Sequence, residues 1–297
     1  MSTPTLAVLA ALSVLTLAFA VYWITAVRRW RSEGTIPEAE QGSVPSVWQA
    51  FVGFVTNFFD TLGIGSFATT ASILKLFGMV ADEKIPGTLN VGHTLPTFAQ
   101  AVIFIAIVAV EPRTLILMLV AAALGAWLGA GVVAGLPRRK VQLGMGTALL
   151  VAAGLLLRSN LDISTVGGTA LGLDGPRLAI AFAGNLVLGA MMTIGVGLYA
   201  PCMILVSLLG MDPKVAFPIM MGSCAILMPV ASVRFIRERR FAQRTSVGLT
   251  LGGVPGVLIA AYAVGSMNVK TVRWLVIVVV VYTAVAMLLS AVRESRR

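Results

Sequence analysis

Charge is scarce in this 297-residue chain: Asp, Glu, Lys and Arg together make up 11% of it, against 58% hydrophobic residues. A soluble domain of this length needs far more polar surface to cover its exterior, so a water-soluble enzyme or binding module is excluded. Histidine occurs once and cysteine twice. Cys202 and Cys224 lie in apolar segments without CxxC or Cys/His spacing, which offers neither a metal site nor a disulfide framework. Missing as well are HExxH, GxSxG, a Walker-type phosphate loop and clustered carboxylates, so no enzyme, cofactor site or ATP-driven pump is expected. Lys and Arg outnumber Asp and Glu by 22 to 12. They fall in short clusters with no interleaved aromatic stripe, which argues against nucleic acid as a partner.

What the chain has instead is long apolar runs. Thr5–Val27, Ala179–Leu198, Ser246–Val264 and Val272–Val292 approach or reach the roughly 20 residues that cross about 30 Å of hydrocarbon. The expectation is an all-α polytopic membrane protein surrounded by lipid. The first run has no Lys or Arg before it and is followed by Arg28, Arg29 and Arg31, the reverse of a signal peptide. Residues 1–30 therefore read as a retained transmembrane helix with its N-terminus outside.

The remainder reads as a duplicated unit. Gly63-Ile64-Gly65 is followed by Gly78-Met79 at the same distance at which Gly195-Val196-Gly197 is followed by Gly210-Met211. Thr61 matches Thr193, Gly92 matches Gly222, and Leu124-Gly125 with Gly129 matches Leu251-Gly252 with Gly256. Matches in a common order indicate repetition. Each copy, 47–158 and 177–293, reads as a re-entrant hairpin broken at its Gly-x-Gly and followed by three transmembrane helices. The hairpins occupy 47–77 and 177–209. The spanning helices fall near 94–110, 114–134 and 141–157, then near 214–234, 245–264 and 271–292. Tracing from an outside N-terminus puts most Lys and Arg inside, including the Arg138–Lys140 and Arg234–Arg244 clusters. One hairpin then opens inward and the other outward, an inverted repeat as in many secondary transporters. The matching location is a bacterial-type inner membrane with a cytoplasmic C-terminus.

Two Gly-x-Gly hairpins, each followed by a helix carrying a conspicuous Gly, resemble the sulfite exporter (TauE/SafE) family over roughly residues 47–292, with the first helix as an extension. The resemblance implies a helical carrier for sulfite, organosulfonates or related small anions. The family's longer glycine run and following proline are not fully kept: the first copy reads Gly63-Ile64-Gly65-Ser66-Phe67-Ala68 without proline, and the second retains Pro201. A carrier of small carboxylates, or an anion channel, is the alternative.

A broken hairpin supplies a candidate site on physical grounds. The helix restarting near Ser66 has amides without intrahelical acceptors at the positive end of its dipole, and so does the helix after Gly197. Two such ends at the membrane midplane make a cradle for an oxyanion. The candidate substrate-binding residues are Asn57, Thr61, Gly63, Gly65, Ser66, Asn90, His93, Thr193, Gly195, Gly197 and Ser223. Gly125, Gly129, Gly252 and Gly256 read as close-packing positions instead. Asp60, the one carboxylate well inside an apolar segment, reads either as a proton-coupling group or as a hairpin cap facing water. His93, at the expected start of the helix after the first hairpin, is either an anion or proton contact, or a helix cap or interface residue. The glycine-spaced faces permit a homodimer.

Overall fold

The computed structural model describes residues 2–34, 44–132, 168–192 and 198–294, with much of 142–157. Among these residues the chain is helical with no strand, and a lone parallel bridge joins Ala170 to Met211. The helices are α1 (Thr3–Ser32), α2 (Val47–Thr61), α3 (Ser66–Leu76), α4 (Ile85–Ile107) and α5 (Pro112–Val132). They continue as α6 (Gln142–Val151), α7 (Gly175–Met192), α8 (Tyr199–Leu208), α9 (Ala216–Arg237), α10 (Gln243–Ser266) and α11 (Val269–Glu294). Six of the described helices are long and apolar enough to cross a membrane. The protein is a polytopic α-helical membrane protein, as its composition demands.

The expected break at the first Gly-x-Gly is present. α2 has 15 residues and α3 has 11, about 22 and 16 Å at the α-helical rise, so neither reaches across the hydrocarbon layer unaided. Gly63 (φ 99°) and Gly65 (φ 88°) turn the chain between them in a conformation that side chains resist. In the second hairpin α8 has only 10 residues, whereas α7 has 18 and is itself of spanning length. The two hairpins are therefore unequal in their first arms.

One boundary differs from expectation. The helix after the first hairpin is expected near residue 94 and α4 begins at Ile85, whereas α9 begins at Ala216, close to the expected 214. Each grows out of a short 3-10 turn, Asp82–Lys84 and Pro213–Val215. Pro86 suits the first turn of α4, where its missing N–H costs nothing. His93 and Ser223 consequently sit inside their helices, about two turns from the start. A capping role for His93 is thereby removed.

The chain forms two compact units. The first unit takes the chain to Thr61, Gly65–Ile103 and Cys224–Tyr262; the second takes Leu62–Ile64, Phe104–Ser223 and the chain from Ala263. In the first unit α10 lies backbone to backbone on α2. A Cβ on Gly252 would stand 1.7 Å from the Ala50 carbonyl oxygen, and one on Gly256 2.4 Å from that of Phe54. Hydroxyls fasten the same helix to α4: Thr250 Oγ1 donates to Gly92 O at 2.8 Å and Ser246 Oγ to Thr88 O at 3.3 Å. α1 packs through Phe19, Trp23 and Val27 onto Val91, Ile236 and Phe241, and Trp23 Nε1 donates to Gln243 Oε1 at 2.7 Å.

In the second unit α5 lies on α7 in the same manner. A Cβ on Gly125 would meet Leu186 O at 1.8 Å, and one on Gly189 would meet Ala122 O at 2.1 Å. Gly125, Gly252 and Gly256 are thus close-packing positions, while the surroundings of Gly129 lie outside the described residues. Phe104 stacks on Phe217, and Met118, Met203, Met220 and Met221 fill the buried interior.

Candidate functional site

The first hairpin gathers a buried polar network. α2 presents Asn57, Asp60 and Thr61 on one buried face, because polar residues spaced by three or four positions share a side of a helix. The Asp60 carboxylate reaches across the turn. Its Oδ1 accepts the backbone N–H of Ser66 at 2.5 Å, and its Oδ2 accepts Nε2 of Gln100 at 2.9 Å. The same Gln100 amide donates to Thr61 Oγ1 at 2.9 Å, while Thr61 donates its own proton to Asn57 O at 2.7 Å. These donors take the place of water around a carboxylate in an otherwise apolar setting.

Asp60 thus accepts the first amide of α3, and it is enclosed, only 3% exposed, so it is not a cap that faces water. The first amide of α3 is occupied by the protein's own carboxylate. Beside it, a Cβ on Gly65 would meet no atom of the described residues within 4 Å, so among them the turn keeps open space next to the helix end. Gly63 is tighter, since a Cβ there would stand 3.0 Å from Met203 Sδ.

His93 occupies a second knot of the same network. Asn57 Nδ2 donates to Gly53 O at 2.7 Å, which turns its Oδ1 toward His93 Nδ1, 3.1 Å away. The imidazole must then donate through Nδ1, leaving Nε2 to accept from Thr70 Oγ1 at 3.1 Å. His93 is completely buried and fastens α4 to both arms of the hairpin at once. Both ring nitrogens are engaged by the protein.

The second unit has a polar tie of its own. Asn185 on α7 is fully buried, and its Nδ2 donates to Met118 O at 2.6 Å and to Ser223 Oγ at 3.3 Å. Asn57–His93 and Asn185–Ser223 each tie the first arm of a hairpin to the long helix that follows, at different depths along that arm. Thr193, Gly195 and Gly197 lie outside the described residues, so the second tip is not placed.

The structure brings together Asn57, Thr61, Ser66, His93 and Asp60. Asn90 does not join them: it is half-buried, and its Nδ2 returns to Pro86 O of its own helix at 2.9 Å. Sequence reasoning missed Gln100, Thr70 and Asn185. Gln100 had a usable signal, because it lies two helical turns beyond His93 and hence on the same face of an apolar helix.

The family model for the sulfite exporter TauE/SafE matches residues 1–156 and 177–297. The chain belongs to the sulfite exporter TauE/SafE family. Members of the family are membrane transporters of sulfite or related anions, so the protein is a transporter and not an enzyme. The match begins at residue 1, so α1 falls within it, which corrects its reading as an extension. The break in the match, 157–176, falls on the link between the two copies of the motif. No individually curated protein and no solved structure matches the chain.

Proposed function

We propose that the protein is a secondary carrier that moves sulfite, or a closely related sulfur oxyanion or organosulfonate, by alternating access. The two halves are inverted copies that rock about an anion held at the hairpin tips. The observation that carries this reading is the first tip. There the amino end of α3 is built on two positive-φ glycines, with open space at Gly65 and a buried carboxylate on the Ser66 amide. The amides that follow Ser66 supply donors for an oxyanion without a buried Lys or Arg.

Asp60 is the coupling group in this reading. An ionised carboxylate repels an arriving anion, and protonation removes that charge and frees the Ser66 amide. A proton and an anion then occupy the tip together or not at all. Gln100 and Thr61 position Asp60, and His93 holds the hairpin to α4. The arginine distribution supports an outside N-terminus and a cytoplasmic C-terminus in an inner-membrane protein.

The test is counterflow of radiolabelled sulfite in proteoliposomes, comparing wild type with Gly65→Leu and Gly197→Leu. Transient accumulation by wild type and its loss in both folded variants is the expected result. Wild-type flux without counterflow would indicate a channel. No sulfite signal with preserved organosulfonate or carboxylate flux would move the substrate, and normal flux in both variants would remove the site from the hairpin tips.

A further inference from the structure

α1 carries an exposed stripe that changes character along its length. Val14, Leu17, Val21 and Ile24 are all more than half exposed, and the same three- and four-residue spacing continues into exposed Arg28 and Arg31. Residues so spaced lie along one face of a helix. The apolar part of this face lies within the spanning run, and the arginines begin where that run ends at Val27. Hydrocarbon contact thus gives way to cationic contact at headgroup level.

The basic end is enlarged from a distant part of the chain. The end of α9 and the turn into α10 contribute Arg234, Arg237, Arg239 and Arg240, all exposed. Arg239 links the two: its guanidinium lies 5.0 Å from the centroid of the Trp30 ring and its Nη2 is 3.6 Å from Glu33 Oε2. Phe241 packs on the same Trp30 at 6.1 Å. Arg239 holds φ at 55°, the one non-glycine residue with positive φ among the described residues. A left-handed arginine is strained where glycine would not be, which fits a side chain kept for its contacts. Among the described residues, Glu33 and Glu238 are the carboxylates beside these arginines. Arg29 Nε sits 2.7 Å from Glu33 and Arg234 Nε 2.9 Å from Glu238, and that second hydrogen bond holds the Glu238 carboxyl below its ordinary range. Among the described residues, exposed guanidiniums outnumber carboxylates on this surface.

We infer that this surface is a seat for an anionic phospholipid. One acyl chain lies along Leu17, Val21 and Ile24, and the phosphodiester is held by Arg28 and Arg31 with help from the α9–α10 turn. Guanidinium groups suit a phosphate because they donate in a fork, and a juxtamembrane arginine cluster attracts acidic headgroups. The inference is independent of the transported substrate.

The experiment is native mass spectrometry of the full chain in detergent, titrated with phosphatidylglycerol or with phosphatidylcholine of the same acyl length. Wild type should retain phosphatidylglycerol preferentially. Arg28→Gln/Arg31→Gln should lower that retention about tenfold, and Arg28→Lys/Arg31→Lys should restore part of it. Arg113→Gln/Lys270→Gln, which removes the same charge elsewhere, should change nothing. Melting temperature in detergent, unchanged between variants, separates lipid loss from misfolding. Equal retention of the two lipids, undiminished binding in the double Gln variant, or full displacement by inorganic phosphate would each overturn the proposal.

Discussion

The two units tie a hairpin arm to the following long helix with different chemistry. In the first, Asn57 meets His93, and Asp60, Gln100 and Thr61 continue the network. In the second, Asn185 meets Ser223, and the join is neutral. The glycine contacts behind the joints are alike: Gly252 stands on Ala50 O in one unit as Gly125 does on Leu186 O in the other. Fastening a hairpin arm to its neighbouring helix therefore needs no ionisable group. The acid and the imidazole are what the first unit's tie has beyond such neutral groups, and in the proposed mechanism they are where protons act.

The largest effect should come from the shared feature. Gly252→Val and Gly125→Val each drive Cβ into a backbone carbonyl, and each should destabilise the protein by about 3 kcal/mol or more, read as loss of a monodisperse peak and a lower Tm in detergent. Equal damage confirms that the scaffolds are equivalent; a tolerant Gly125 would break the comparison. Next comes Asp60→Asn, which keeps an acceptor for the Ser66 amide but sets one amide against another at Gln100. Flux should fall at least about tenfold and lose its dependence on a proton gradient, measured in proteoliposomes with and without a pH difference.

Smaller still is the contrast between the joints themselves. His93→Ala removes two hydrogen bonds and leaves Asn57 Oδ1 buried, costing about 2–3 kcal/mol, whereas Ser223→Ala should cost about 1 kcal/mol. Thermal melts of the two variants check the difference, and similar values would mean that the histidine is not a tighter fastener. Last is Glu238→Gln outside the membrane spans. Its carboxyl is depressed by Arg234, so the pair contributes at neutral pH and loses that contribution as acidification protonates the acid. The pair is exposed, and melts at neutral pH should scarcely move.

Much of this architecture was legible because a bilayer restricts which sequences can span it. Apolar run length located α1, α9, α10 and α11, and two positive-φ turns need glycine, so Gly63 and Gly65 announced the first break. Glycine spacing likewise marked Gly125 and Gly252 as packing positions. The start of α4 was not legible, since Ile85–Asn90 contains Pro86, Gly87 and polar residues that lower its apolarity. That stretch is helical through tertiary support: Thr88 Oγ1 accepts the Ala242 N–H, and Gly87 lies against Arg240 O. Asp60 drew notice as a lone buried charge, but neutral Gln100 and Asn185 did not. Their importance comes from partners far away in sequence, which no local pattern encodes.

The close seat of α10 on α2 also bears on how the chain is made. α2 and α3 emerge from the ribosome early, while Gly252 and Gly256 follow about two hundred residues later, a delay on the order of tens of seconds at ordinary elongation rates. Throughout that interval the first hairpin lacks the helix that covers its Ala50 and Phe54 backbone. Neither of its arms is long enough to hold the bilayer by itself. Completion of the first unit is thus a late event in synthesis, and a chain halted before α10 would present its insertion machinery with an unfinished hairpin.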